Sequence, residues 1–540
     1  MTKISRQNKT LLFSAALSLG VSLVALSSAA QAQVTLLDNK NGTTLTGDFT
    51  GVVGFFGVGN TDFGAGNINT QSPANVVNTP NQRKTDREWL ETSDMPALAF
   101  STPSFLGGSF DKGSLYANFS FVGQGTVGDG DAFSSLAVNG LRSTTGNTPW
   151  HFDTETMDGG WNSGDTFKDT LGSGAVDFSL GDQSFTAGDG LVIDTGILPG
   201  WRRGAYYTSL QTAFQRTAIL KLTPDLAPVR VNLFKLENRS NQTVMQGNDN
   251  PESKFAGLTA EYYKAGKATK DNPNPPDIWD IDGMYFNIYD SDAPSLAPGS
   301  TAGSLSTTAD RKGMNVFDAR AAGSFLDFWN PDILFHGEFV KENNSNSLNK
   351  VDADAWYVEP GYNFENLPWA PTLSVRYAHF SGESNVNGTT KHSYDPLFYG
   401  VGPRGYGSWY LGEVYGWYLG GPSNINVWMV NLSSTPTDNT TFGIVFYDFS
   451  FASHQLASST ANGIATNSIT ANHAMDEVDI NGSYTPDQFK FLTISSVLGF
   501  GIPGKGFDQA ASAFAQANGT PTPSTGATMI VGELIATVKF

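Results

Sequence analysis

The chain ends on GATMIVGELIATVKF, residues 526–540, and the period of two in this stretch decides the fold. Stepping back by twos from Phe540 collects Val538, Ala536, Leu534, Gly532 and Ile530, a face wholly free of charge. The interleaved set mixes Lys539, Thr537 and Glu533 with Ile535. Successive side chains of a β-strand point to opposite faces, so this strand has one side fit for hydrocarbon and a mixed one. In a bilayer such a strand needs a closed sheet, because an open edge leaves backbone N–H and C=O groups unpaired at several kcal/mol each.

At the other end, Lys3, Arg6 and Lys9 precede an apolar run from Leu11 to Leu26, and Ala30-Gln31-Ala32 follows it. That order predicts a secretory signal peptide over residues 1–32, cleaved after Ala32. Its removal leaves 29 of the 32 basic residues against 51 acidic ones, a formal charge of −22. This balance argues against a nucleic-acid-binding surface. With no cysteine, the chain has neither a disulfide nor a thiolate to offer. Past Gln33 no stretch approaches the roughly 18–20 continuous apolar residues that a membrane helix requires.

Alternating segments recur along the chain, bounded by Gly, Pro, Asn, Asp or Ser. Leu115, Ala117, Phe119 and Phe121 alternate with Tyr116, Asn118 and Ser120. Met284, Phe286 and Ile288 alternate with Tyr285, Asn287 and Tyr289. Ile333, Phe335, Gly337 and Phe339 alternate with Asp332, His336 and Glu338. Leu373, Val375, Tyr377 and His379 stand opposite Thr372, Ser374, Arg376 and Ala378, and Val478, Ile480, Gly482 and Tyr484 opposite Glu477, Asp479 and Asn481. In each, one set is assigned to lipid and the other to water.

A soluble sandwich shows the same alternation. The leader, the aromatic final strand and the lack of any domain boundary select the membrane architecture instead. The expected fold is all-β: a single closed antiparallel transmembrane β-barrel over residues 33–540, with about 18 strands and 16 as the alternative count. The stretches Asn60 to Glu91, Gly125 to Thr170 and Ser291 to Gly313 lack clear alternation and are expected as long external loops or lumenal constrictions. Asn366 to Pro371 and Tyr484 to Gln488 are expected as short periplasmic turns.

Rings cluster near the ends of these segments: Trp356, Tyr357, Tyr362, Trp369, Trp409, Tyr410, Tyr415, Trp417 and Tyr418, with Phe540 at the terminus. An amphipathic ring suits the membrane–water boundary, so these are expected as an interfacial girdle rather than as sugar-stacking platforms.

The stretch from Asp354 to Gly382, with Val358-Glu359-Pro360-Gly361-Tyr362-Asn363-Phe364 and Pro371-Thr372-Leu373-Ser374-Val375-Arg376-Tyr377, resembles the alginate-export family of outer-membrane barrels. Asp395-Pro396-Leu397-Phe398-Tyr399-Gly400, Gly407-Ser408-Trp409-Tyr410, Gly412-Glu413, Tyr447-Asp448-Phe449 and Asp476-Glu477-Val478-Asp479-Ile480 extend the likeness over residues 350–505. Leu180 to Phe185 and Gly188-Asp189-Gly190 add to it. The resemblance implies an 18-stranded porin. It also implies a strongly basic lumen for export of an anionic polysaccharide, from which this acidic chain departs.

Arg376 falls on the polar face of its strand and is expected to point into the lumen; Arg202, Arg203, Arg216, Arg230, Arg239 and Arg404 are further candidates. A guanidinium stays charged and can clamp a carboxylate with two hydrogen bonds, which makes such arginines either selectivity elements or partners of lumenal acids such as Glu359, Glu477 and Asp479. Asp277, Asp280 and Asp282 form an acidic loop that could offer hard oxygen ligands to calcium, set against a plain solvated turn. Acidic outer loops could also hold divalent cations against lipopolysaccharide. Six histidines lie outside any nucleophile or HExxH motif and no P-loop occurs, so neither catalysis nor a cofactor is expected. His379 is expected as a hydrogen-bonded interfacial residue.

The expectation is an outer-membrane channel for passive passage of small hydrophilic solutes or a polysaccharide. Its expected partners are the lipid bilayer, lipopolysaccharide and the insertion machinery that meets the strand ending at Phe540. The alternative is a surface-binding protein whose long loops do the work and whose barrel is an anchor.

Overall fold

The alternating C-terminal stretch forms a strand, Met529–Lys539, that is paired along both edges. The structure is a computed structural model. It describes residues 34–540 except 65–84, 130–149, 197–203, 240–251, 268–274, 292–293, 297–304, 346–349, 384–389, 401, 405–408, 461–462 and 518–523. The signal-peptide reading therefore lies outside the described residues.

Eighteen strands make up the barrel, each antiparallel to its neighbour in sequence and the last paired with the first. The first nine are β1 (Thr44–Gly59), β2 (Arg87–Pro103), β3 (Ser114–Gly128), β4 (Trp150–Asn162), β5 (Val176–Gln183), β6 (Phe214–Leu222), β7 (Val229–Glu237), β8 (Ser253–Lys264) and β9 (Trp279–Ser291). The rest are β10 (Asn315–Gly323), β11 (Ile333–Asn344), β12 (Lys350–Asn363), β13 (Thr372–Phe380), β14 (Ile425–Thr437), β15 (Thr440–Phe451), β16 (His473–Tyr484), β17 (Leu492–Pro503) and β18 (Met529–Lys539). Closure runs from Thr50 opposite Lys539 to Gly59 opposite Ile530, so every edge is paired. The count is eighteen rather than sixteen. Among the described residues no helix is long and apolar enough to cross a membrane; the crossing elements are strands.

Val34 and Phe540 lie at the end that carries the short connections, such as 364–371, 438–439 and 485–491. The long connections lie at the opposite end, and one holds a helix, Lys505–Ala517. Outward faces are apolar and bare: Phe55 is 53% exposed, Leu534 49% and Phe339 48%. The inward faces of β11, β13 and β16 carry Glu338, Arg376, Glu477 and Asp479, all buried, as the alternation predicts.

Two segments depart from the sequence reading. Met284, Phe286 and Ile288 of β9 face inward and are buried, while Tyr289 and Ile281 face outward. The reason is that the described parts of connections 184–213 and 381–424 fold into the barrel and give this wall an apolar partner. Phe398 stacks on Phe255 of β8 at 4.4 Å between centroids, and Phe255 lies 5.2 Å from Phe286. The second departure is β4, which lies inside the stretch Gly125 to Thr170. Phe119 pairs with Met157 but Phe121 with Thr154, so β4 carries one extra residue. This bulge flips the alternation mid-strand, with Trp150 and Phe152 outward before it and Met157 after it.

Phe540 closes the seam. Its N–H donates to the Phe49 carbonyl at 3.0 Å, and its ring stacks on Phe491 at 4.9 Å. Phe540→Ala is expected to destabilise the barrel by about 3 kcal/mol, as for other buried Phe→Ala changes. The midpoint of urea unfolding in lipid vesicles, followed by heat-modifiable migration, measures it; an unmoved midpoint contradicts this role.

Candidate functional site

The inward-folded connections are polar main chain inside a membrane barrel, so their N–H groups require acceptors. Carboxylates on the inner wall supply them. On β16, Glu477 accepts from the Val414 and Tyr415 N–H groups at 2.7 and 2.9 Å, and Asp479 from the Glu413 N–H at 3.0 Å. Glu91 on β2 accepts from the Tyr206 and Thr208 N–H groups at 2.9 and 3.0 Å. Glu155 on β4 accepts from those of Thr212 and Ala213 at 2.6 and 2.7 Å, and Glu342 on β11 from that of Asp395 at 3.0 Å. Gly412, at φ +70°, turns the chain under Glu477, and a Cβ there would collide with that carboxylate. Glu477 and Asp479 thus hold backbone, not the arginines that their sequence positions suggest.

Arginines and acids meet at the waist. Arg376 is fully buried; it donates to Glu359 at 3.4 Å and to the Trp409 carbonyl, beneath the Tyr410 ring. Arg404, from the inward-folded connection 381–424, donates to Asp189 at 3.1 Å and also to Glu359. Arg320 on β10 pairs with Asp189 at 2.7 Å and Asp282 at 2.7 Å, and with Asp280. Asp189, carried by connection 184–213, therefore binds two arginines from different parts of the barrel and accepts a hydrogen bond from the Tyr357 hydroxyl at 2.8 Å. Burial pushes its carboxyl up, but His336, Arg320 and Arg404 outweigh that and hold it well below the usual carboxylate range. Its stabilising charge is fully present above the unfolded value of about 3.9 and is lost as pH falls through the lowered folded one. Burial and the nearby Glu533 carboxylate push the Glu413 carboxyl up instead.

The remaining sequence candidates lie elsewhere. Arg202 and Arg203 fall outside the described residues. Arg216 is 64% exposed and pairs with Glu237 and Glu252 at the long-loop end. Arg230 faces the mouth at the short-turn end and joins Glu261 and Asp277 at 2.7 and 2.6 Å. Arg239 is buried and donates to the carbonyls of Ala213, Thr154 and Glu155.

Asp280 and Asp282 lie on a strand rather than in a loop; Asp277 pairs with Arg230, and Asp280 and Asp282 with Arg320. Among the described residues, ligand spacing for a metal occurs instead at Asp448, His473 and Asp476, near the long-loop end. Trp356 lies in the middle of β12, whereas Tyr362, Trp369 and Phe540 sit at strand ends or in a short connection. Trp409 and Trp417 do not: they belong to the inward-folded connection, where Trp417 lies against Tyr206 and Tyr207. Tyr357, Tyr410, Tyr415 and Tyr418 are likewise buried inside. His379 faces outward and hydrogen-bonds Asn426 at 2.6 Å.

Sequence reasoning missed Arg320, although Val316, Asp318 and Arg320 alternate with Phe317, Ala319 and Ala321 and so mark an inward face. Asp189, Glu91 and Glu155 had no local signal, because their partners are remote or are main-chain groups.

Glu477→Leu removes the acceptor for two buried N–H groups, each worth about 1–3 kcal/mol when orphaned. Hydrogen exchange of residues 413–416 is expected to rise roughly ten-fold or more, since about 1.4 kcal/mol corresponds to a factor of ten; unchanged protection contradicts the docking role.

The BenF-like porin from Pseudomonas fluorescens Pf-5 has a similar fold, with a TM-score of 0.50 at 9% identity over 92% of this chain and 98% of that one. OpdQ of Pseudomonas aeruginosa (TM-score 0.49, 10% identity) and OccAB4 of Acinetobacter baumannii (0.48, 11%) are also similar, each over 92% of this chain and 98% of theirs. No curated protein sequence matches the chain. The alginate-export family model, described as "Alginate export", matches residues 165–501. That match spans well over half of the sequence, and the chain, a porin-like outer-membrane β-barrel, belongs to the alginate-export family.

Proposed function

We propose that the protein is a passive channel for small hydrophilic solutes, with a polysaccharide as the larger cargo class. The observation that carries this reading is the waist, where Arg320, Arg376 and Arg404 meet Asp189, Asp282 and Glu359 across connections folded into the lumen. A solute passing it meets fixed charges of both signs, which orient a polar molecule without a chemical step. Selection is by pore width and polarity, not by catalysis. The reading includes export by a cleaved leader over residues 1–32, insertion through the strand ending at Phe540, and contact with lipopolysaccharide at the long-loop end.

A second reading, a surface-binding protein anchored by its barrel, draws support from the filled interior. Tyr207, Tyr418 and Trp89 pack against one another there, with 5.2 Å between the Tyr207 and Tyr418 rings. The two readings differ in current. Folded protein in planar bilayers is expected to give discrete conductance steps. Arg376→Ala, which leaves Tyr447 as the remaining wall donor to the Trp409 carbonyl, is expected to enlarge them. Folded protein that gives no steps overturns the channel reading in favour of the anchor.

A further inference from the structure

Carboxylates outnumber cations along the inner wall. Arg230 is shared by Glu261 and Asp277, and Arg320 by Asp189, Asp280 and Asp282. Each guanidinium of the waist already contacts at least one carboxylate, so none is left with its whole fork for an incoming anion.

The excess is plainest between the waist and the short-turn mouth. Asp158 is held by the Asn118 amide at 2.9 Å, and Asp177 by the Tyr116 hydroxyl at 2.7 Å and the Asn162 amide at 3.1 Å. These donors are neutral. With Glu261, Asp277 and Asp280 the two acids make five half-buried carboxylates, against which this wall sets Lys221, Arg230 and Arg320, the last shared with the waist. The facing wall at the same level carries Asn431, Ser433, Asn481, Ser483 and Ser495, all uncharged.

We infer that the lumen selects cations over anions, so that its cargo is small cationic or neutral solutes rather than a polyanion. The inference rests on the channel reading and gives it a substrate class. Rings of Asp and Glu raise the local concentration of cations and repel anions at close quarters, where low dielectric weakens screening.

Reversal potentials in a tenfold KCl gradient test it on the full-length folded protein, with spermine as a cationic probe on the short-turn side. Wild type is expected to show the sign of potassium permeation and a spermine-dependent block. Asp158→Asn with Asp177→Asn is expected to move the reversal potential toward zero and weaken the block several-fold. Asp290→Asn, on the outer face near the long loops, is expected to change neither. A chloride-selective potential, or one unmoved by the paired substitution, overturns the inference while leaving the channel intact. Absence of steps from folded protein removes the channel reading and the inference together.

Discussion

Hydrocarbon offers no substitute for a missing backbone hydrogen bond, and the pairing of β1 with β18 removes the last pair of open edges. Everything else follows from that closure. Once the sheet is a cylinder, period-two alternation separates a lipid face from an enclosed one. Phe55, Phe339 and Leu534 lie bare outside while Glu477, Arg376 and Asp479 are buried inside. The cost of enclosing charged groups then shapes the interior. An isolated buried ion is expensive, so each needs a partner of opposite charge or an aimed dipole.

The inner wall uses both solutions. At the waist, guanidinium groups meet carboxylates from β9, β12 and connection 184–213. Around it, Glu91, Glu155, Glu342, Glu477 and Asp479 accept main-chain N–H groups from the two inward-folded connections. The second arrangement is mutually satisfying. A connection brought into the lumen would carry orphaned N–H groups, and a wall carboxylate would lack donors; together they complete one another. The constriction is therefore part of the folded barrel, and its position is set by where acids occur on the inward faces.

The sequence makes the barrel readable wherever one face meets lipid and the other meets polar groups, as in β11, β13, β16 and β18. It misleads at β9, because Met284, Phe286 and Ile288 meet the ring of Phe398 and its neighbours inside the barrel, and alternation cannot say which apolar face is outside. It is silent at β4, because a bulge opposite Phe119 and Phe121 breaks the period. The site was readable in part. Arg376 and Glu359 were visible on alternating strands and do meet. The partners of Glu477 and Asp479 were not, since a main-chain donor has no side-chain signature. Trp409 and Trp417 look like girdle residues by composition, yet the fold carries them inward.

The central claim is that the connection containing Glu413 sits inside the closed barrel against β17. The Glu413 Cβ lies 3.5 Å from where a Cβ on Gly499 would stand, within the range for a disulfide, and the chain has no cysteine to compete. Mild oxidation of the Glu413→Cys, Gly499→Cys double variant, folded in lipid, is the most direct measurement. Near-complete disulfide formation with the barrel still folded is expected. Two thiols that stay free under the same oxidation contradict it.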